Sequence, residues 1–213
     1  GAGAGGEDVD VDATIDKLLD LVDEVSDNIG IGIDKKDRNR ILRLSQKLAS
    51  AKENYVNQKD VYELADLLAG KWALLYTSSS TVEFNQGLTG LAKTLPGASF
   101  KDVSLELKKD GFLQDMKYVE TLNTGKEGEG KELEVTVDGT WLLQMVRNVM
   151  TGQPAFSLQI SPDDIRYSFV KMKADKWKAL RPANTLDLAY LDDEIRIMQV
   201  QSIPDTIFIF ERQ

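Results

Sequence analysis

The hydrophobic period of this chain changes at one short stretch, Leu68 to Ser80, which reads LAGKWALLYTSSS. Before it, apolar residues recur every three or four positions, as in amphipathic helices, and after it they alternate, as in strands with one buried face. A helical segment must therefore give way to a β-structure close to Gly70. The hydroxyl residues Thr77 to Ser80 predict the far end of the first strand, where hydroxyl groups bind nearby backbone.

Three helices are predicted before the change of period. The first follows the capping candidate Asp12 and is followed by Gly30, the second follows Asp34 and has a basic polar face, and the third runs from Lys59 to Leu68. The apolar stripe of the first helix consists of Ile15, Leu18, Leu19, Val22, Val25 and Ile29.

Turn residues divide the remainder into segments that suit eight to ten antiparallel strands. The candidate strands are WALLYTSS, KDVSLELKK, FLQDMKYVETL, KELEVTVDGT, AFSLQIS, DIRYSFVKMK, TLDLAYL, EIRIMQV and TIFIFER. So many antiparallel strands leave few exposed edges if the sheet closes or nearly closes. We therefore predict an α+β, mainly β fold with a flexible N-terminus (1–11), a helical segment (12–69) and an antiparallel barrel (70–213), the helices and the barrel forming one unit.

The composition restricts the chemistry that is open to this protein. The 213 residues include no Cys and no His, which excludes disulfides, thiolate nucleophiles, Ser-His pairs and most zinc sites. We expect no catalytic residues, metal or cofactor, with a carboxylate-based isomerase or cyclase as the remaining enzymatic alternative. Asp192 and Asp193 do not form such a site, because neighbouring strand residues point to opposite faces; they predict a turn. No leader or membrane-spanning run is recognised, so the chain is expected to be soluble.

Acidic residues concentrate near the N-terminus of a chain whose net charge is −9. Between Glu7 and Asp27 only Lys17 opposes nine carboxylates. This excess repels phosphate and argues against nucleic-acid binding. It is either a solvated helix face or a docking surface for a basic partner. The candidate docking residues are Asp16, Asp20, Asp23 and Asp27.

Two motifs carry a resemblance to a known family. The Gly-x-Trp of GKWALLYTSS resembles the lipocalin signature, and together with the later YLDDEIRIMQV it resembles the plastid lipid-associated proteins, or plastid fibrillins. In that family a helical region with a glycine turn, here IGIGIDKKDRNRI, precedes the Trp-containing strand. Where the family has an arginine and a glycine after the late motif, this chain has Gln199 to Gln201, which implies a divergent member.

The resemblance implies a lipocalin-like barrel and a non-enzymatic plastid protein. Such a protein would bind a lipid, carotenoid or quinone and associate peripherally with thylakoid or plastoglobule surfaces. The alternative is an accessory subunit that docks on the stromal face of a photosynthetic membrane complex, such as a photosystem, without a ligand of its own.

Within such a barrel, Gly70, Trp72 and Arg196 form the predicted structural motif. Gly70 allows close backbone approach, and Trp72 closes one end of the barrel and offers its indole face to Arg196 or, as second candidate, to Arg212. A guanidinium over an indole contributes about 0.5–2 kcal/mol, so this pair fixes barrel closure rather than binding a ligand.

Alternation also selects candidate interior positions. They suit either an apolar ligand or a filled core, since an eight-stranded barrel has room for one of the two. These positions are Met116, Tyr118, Leu143, Met145, Phe156, Leu158, Tyr167 and Phe169. The segment MVRNVMTGQPAF, from Met145 to Phe156, is predicted to be an apolar loop, either exposed to lipid or a partner or buried.

Overall fold

The N-terminal helices begin where aspartates cap them. The computed structural model describes residues 9–125, 130–148, 150–174 and 177–213. Residues 1–8 of the predicted flexible N-terminus (1–11) therefore lie outside the described part, whereas Asp10 and Val11 belong to the start of the first helix. The helices are α1 (Val11–Val25), α2 (Lys35–Ala49) and α3 (Val61–Leu68), with a 3-10 turn at Tyr55–Asn57. Asp10, Asp34 and Asp60 accept hydrogen bonds from backbone N–H groups of the first turns.

The boundaries of α1 differ from the prediction. Asp10 rather than Asp12 is the N-cap, and the helix ends at Val25, before Ile29 and Gly30. The other two starts are close to those predicted, since Asp34 caps α2 and Asp60 forms a capping box with Glu63 in α3. Within the described ranges, no helix is long and apolar enough to span a bilayer.

Nine strands follow, within the predicted number for the described residues. They are β1 (Gly70–Thr77), β2 (Ser99–Asp110), β3 (Leu113–Asn123), β4 (Glu132–Arg147), β5 (Pro154–Tyr167), β6 (Val170–Lys173), β7 (Thr185–Leu191), β8 (Ile195–Val200) and β9 (Ile203–Arg212). Short helices that the sequence did not indicate lie between them: α4 (Ser80–Asn85), α5 (Leu91–Thr94), a 3-10 turn (Lys178–Leu180) and α6 (Arg181–Asn184).

The sheet nearly closes into a barrel, as predicted. The strand order is β4-β3-β2-β1-β9-β8-β7-β5-β6, and β4 also pairs with β5, so eight strands form a circuit with β6 attached to β5. All pairings are antiparallel, and the weakest seam is β5–β7, where only three residue pairs are in register. The chain is therefore mainly β, with the lipocalin-like, helix-then-barrel arrangement expected from the sequence.

A bulge at Gly139 allows β4 and β5 to stay paired along their length. The register of the two strands shifts between Asp138 and Gly139. A Cβ at position 139 would lie 2.2 Å from the carbonyl oxygen of Ser161 and 2.8 Å from Cα of Pro162. Only glycine fits between these backbone atoms.

Apolar side chains form two cores, one on each face of the sheet. The core inside the barrel includes Trp72, Leu105, Met116, Leu143, Leu158, Met198 and Phe208. The second core lies outside it and joins Leu18 and Val22 of α1 and Ile41 and Leu48 of α2 to Tyr76, Tyr190, Ile197 and Ile209. Helices α1 and α2 thus cover the outer face of β1 and β7–β9, whereas Leu64 and Leu68 of α3 belong to the first core.

A buried carboxylate organises the loop between α4 and α5. Glu120 of β3 is fully buried and accepts hydrogen bonds from the backbone N–H groups of Leu88 (2.7 Å) and Thr89 (2.8 Å) and from the Thr89 hydroxyl (2.5 Å). Trp177, from the segment before α6, donates to the carbonyl oxygen of Thr89 at 2.6 Å. Glu120 therefore fixes the loop between α4 and α5 to β3, and Trp177 joins the same loop to a segment distant in sequence.

The hydroxyl residues after β1 bind backbone groups, as the sequence suggested. Thr77 accepts from the N–H of Ser79, and Ser79 caps α4 by accepting from Val82. Ser78 accepts from the N–H of Ile207 at 3.0 Å. These hydroxyls connect the end of β1 to α4 and β9.

Replacing Gly139 with Ala tests the bulge. We expect Gly139→Ala to lower the free energy of unfolding by about 1–3 kcal/mol, because the new methyl group would overlap the backbone of β5. Urea unfolding measures the change, and Thr140→Ala, at the exposed neighbouring position, is the matched control and should change it by about 0.5 kcal/mol or less. Equal effects of the two substitutions would contradict the close approach of β4 and β5.

The buried glutamate makes a pH-dependent contribution to stability. Burial raises the pKa of Glu120, and the hydrogen bonds from Thr89 and Leu88 oppose the rise. Because the pKa of Glu120 is higher in the folded than in the unfolded protein, its contribution to the free energy of unfolding is complete below about pH 4.3, the ordinary glutamate pKa. This contribution is lost as the pH rises through the pKa of the folded state. The Glu120→Gln variant should lack this fall, since its amide oxygen still accepts from both N–H groups and its NH2 can donate to the Thr89 hydroxyl.

Glu120→Ala is the destabilising counterpart. It leaves the N–H groups of Leu88 and Thr89 without their acceptor, and each such loss costs about 1–3 kcal/mol. Thermal unfolding of the three proteins from mildly acidic to neutral pH gives both results. A glutamine variant with the same pH profile as the parent protein would contradict this role of Glu120.

Candidate functional site: the barrel interior around Trp72 and Arg196

The C-terminal end of α3 is held by two side chains of the barrel. The Trp72 indole N–H donates to the carbonyl oxygen of Leu68 at 2.9 Å. The Arg212 guanidinium donates to the carbonyl oxygens of Leu67 and Ala69, and its Nε–H donates to that of Asp193 at 2.8 Å. These bonds satisfy carbonyl groups that a helix end leaves without partners, and a cation is favourable there.

The glycine at position 70 is required by the same arrangement. Its φ is +136°, a conformation that other residues rarely adopt, and a Cβ would lie 2.8 Å from Nη1 of Arg212. Gly70 is the first residue of β1, and Ala69 before it is the C-cap of α3.

Both arginine candidates contact Trp72. The guanidinium carbon lies 4.8 Å from the indole centroid in Arg196 and 4.3 Å in Arg212, and Arg196 also lies 4.2 Å from the ring centroid of Phe210. Trp72 is completely buried. The predicted contact is present, and Arg196 contacts two aromatic rings.

Arg196 is a buried cation without a hydrogen-bond partner. Its side chain is fully buried, and Nε, Nη1 and Nη2 have no acceptor among the described residues. The pKa of Arg196 is lowered to about 9, chiefly by burial, with Tyr118 raising it and the charge of Arg212 lowering it. Arg196 is therefore still protonated at neutral pH, and its charge lies in an apolar interior.

Six of the eight predicted interior positions lie in the core of the barrel or pack against it. Met116, Tyr118, Leu143 and Leu158 are buried in the core of the barrel, as expected. Phe156 and Tyr167 are partly buried against that core.

The interior placement of Met145 and Phe169 was wrong. Their exposed fractions are 66% and 95%. Met145 shares a face with Leu143, but β4 runs past the end of the core there, where Met145 is paired with Phe156. Phe169 lies in the turn between β5 and β6, next to Ser168, whose φ is +52°.

The segment from Met145 to Phe156 is a hairpin rather than a loop. Met145 belongs to β4 and Phe156 to β5, so only the tip between them is a turn; Val149 lies outside the described residues. The Asn148 side chain donates to Asp187 of β7 at 3.0 Å and accepts from the N–H groups of Met150 and Thr151. The tip is thereby fastened to the barrel, while Met150 stays exposed.

The candidate docking carboxylates are all exposed, but they do not form one uniform face. Asp16 and Asp20 line a groove of about 600 Å³ between α1 and α2, together with Arg40 and Arg43 of α2. The exposed Asp23 is not part of this groove, and Asp27 follows the end of α1. Glu7 and Asp8 lie outside the described residues.

The acidic pair near the C-terminus forms the predicted turn. Asp192 and Asp193 lie between β7 and β8. Oδ1 of Asp192 accepts from the N–H groups of Glu194 and Ile195, its Oδ2 accepts from the Tyr190 hydroxyl at 2.7 Å, and Asp193 accepts from the Tyr55 hydroxyl. These carboxylates fasten the turn to its surroundings.

Sequence reasoning missed Glu120, although a signal was present. In MKYVE the alternation that directs Met116 and Tyr118 inward also directs Glu120 inward. An acidic residue at an interior position of a strand requires donors from elsewhere, which here come from the loop between α4 and α5. The sequence of this loop, NQGLTGLA, contains no pattern that predicts its role as hydrogen-bond donor to Glu120.

Trp72 and Arg196 are expected to differ in their contributions to stability. Trp72→Ala should lower the free energy of unfolding by about 3–5 kcal/mol, because it removes a large buried side chain. Arg196→Ala should cost less, since it also removes an unpaired buried charge. Urea unfolding of both variants provides the comparison, and an equal or larger cost for Arg196→Ala would contradict the account of Arg196 as a charge without a partner.

Comparison with known proteins supports the resemblance that the motifs carried. Residues 13–104 match the PAP_fibrillin family model, a stretch that contains the three helices, Gly70, Trp72 and the first part of β2. No curated protein and no solved structure matches the chain. The late motif with Arg196 lies beyond the matched residues. The predicted resemblance is confirmed over part of the chain: residues 13–104 match the model of PAP_fibrillin, the family of the plastid lipid-associated proteins or fibrillins.

Proposed function

We propose that this protein is a non-enzymatic plastid protein whose barrel binds a hydrophobic small molecule, a lipid, carotenoid or quinone. The observation that carries the proposal is the circuit of eight strands around an apolar interior that includes Met116, Tyr118, Leu143 and Leu158. Barrels of this size hold one small ligand when their own side chains leave room. The family match supports the same function.

We further propose that the protein associates with a thylakoid or plastoglobule surface from the stromal side. The hairpin of β4 and β5 supports this association. From Gly139 to Pro162 the sequence contains no Asp or Glu, in a chain that has 35 of them. Leu142, Met145 and Met150 of this hairpin are exposed. An exposed apolar element without carboxylates suits contact with lipid better than contact with water.

Ligand binding is tested by loading the purified chain with a carotenoid or a quinone. We expect a stoichiometric amount of ligand to remain with the protein through gel filtration and to quench Trp fluorescence saturably. Phe156→Trp should reduce the retained amount, because it adds volume beside the core. Phe169→Trp, the same change at an exposed position, is the matched control and should not. Quenching that does not saturate would indicate a solid core.

The accessory subunit is the second candidate, and the exposed carboxylates near α1 favour it. Untranslocated loops of membrane proteins are rich in Lys and Arg, so a stromal membrane face attracts an acidic surface. Complementary charge speeds encounter and fixes orientation. Asp23 and Asp27 contribute most to such a surface, because Asp16 and Asp20 share a groove with arginines.

Salt distinguishes charge-based docking from apolar attachment. If the carboxylates dock the protein, raising ionic strength from about 0.05 to 0.5 M should release it from thylakoid membranes, since the Debye length falls from roughly 14 to 4 Å. Replacing Asp16, Asp20, Asp23 and Asp27 with Asn should cause the same release at low salt. A protein that stays bound in both conditions is attached through apolar contacts, for which the hairpin of β4 and β5 is the candidate.

A further inference from the structure

We propose that the ligand of the barrel is an amphipathic molecule with a carboxylate head, and that Arg196 binds this head inside the barrel. The inference rests on the proposed function and names the chemical class of its ligand. It also changes the role that the sequence suggested for Arg196, which was closure of the barrel alone.

The first argument is the missing partner. Three nitrogens of a protonated guanidinium have no acceptor among the described residues, and such a group costs several kcal/mol unless it is paired. The ionisable groups that influence Arg196 are Tyr118 and Arg212, one a neutral phenol at ordinary pH and the other a second cation. The buried carboxylate of Glu120 is engaged by Leu88 and Thr89 instead. An anion from outside the chain would complete the charge balance.

The second argument is the orientation of the guanidinium. The ring centroids of Trp72 and Phe210 lie 4.8 and 4.2 Å from its central carbon, so its nearest aromatic neighbours stabilise the cation through their rings and not through an acceptor atom. Its N–H groups have no acceptor among the described residues and so can still form hydrogen bonds. A planar edge of this kind matches a carboxylate with two parallel hydrogen bonds, which a single hydroxyl oxygen cannot reproduce.

The surroundings determine the rest of the ligand. The core that encloses Trp72 is built from apolar side chains, including Leu105, Leu143, Leu158 and Met198. A long hydrocarbon tail suits these neighbours, whereas a small polar anion does not. Because Arg196 has no contact with solvent, the head enters only if side chains repack, and the flexible Met116 and Met198 can move without strain.

The experiment compares palmitate with hexadecanol, which have tails of equal length and differ in the head. Binding to the full chain is measured by isothermal titration at about pH 8, where the acid is ionised. We expect palmitate to bind at least tenfold more tightly than hexadecanol. Equal affinities would overturn the inference and leave the proposed function intact. If neither binds but the chain retains a carotenoid or quinone, the inference also fails alone; if nothing binds, both fail.

Variants assign the preference to Arg196. Arg196→Met keeps a long side chain and removes the charge, so the preference for palmitate should disappear while affinity for hexadecanol is retained. Arg166→Met is the matched control, because Arg166 is an exposed arginine paired with Asp138 at the barrel surface; it should keep the full preference. Arg196→Lys, which retains the charge, should keep part of it. A preference that survives in Arg196→Met, or that is lost in both Met variants, would overturn the assignment.

Discussion

The contact between Trp72 and the end of α3 is the interaction on which the arrangement of helices and barrel depends. One indole N–H and one guanidinium supply donors to the last carbonyl groups of the helix. The same two side chains are stacked, and they belong to β1 and β9, which are paired. The helix end, the first strand and the last strand are therefore fixed at a single point. Gly70 makes this possible, because its φ of +136° is a conformation that other residues rarely adopt.

Among the described residues, Glu120 and Arg196 are ionisable side chains buried in the barrel interior, and they differ in their hydrogen-bond partners. Glu120 accepts three hydrogen bonds, and these bonds hold the loop between α4 and α5 in place. Arg196 has aromatic faces beside it but no acceptor among the described residues. A satisfied buried charge rigidifies its surroundings, whereas an unsatisfied one costs stability in the empty protein. This difference separates a structural group from a candidate binding group within one core.

Much of the candidate site could be inferred from particular residues. The Gly-x-Trp motif and the late arginine predicted the stacked pair, and alternation placed Met116, Tyr118, Leu143 and Leu158 correctly inside the barrel. Alternation failed for Met145 and Phe169 because it reports the face of a strand and not where the core ends along it. Whether these positions bind a ligand stays a prediction.

The sequence by itself determined the change from helices to strands at Gly70 and the cap of α2 at Asp34, because these depend on local periods and caps. Tertiary structure alone decided the β4–β5 closure, the bulge at Gly139, the loop bound to Glu120 and the isolation of Arg196. Each of these depends on groups far apart in the chain, such as Glu120 and Thr89 or Arg196 and Phe210. A local sequence pattern does not indicate which distant group will be the hydrogen-bond partner of a buried side chain, or whether it will have one. Only the folded barrel brings such groups together.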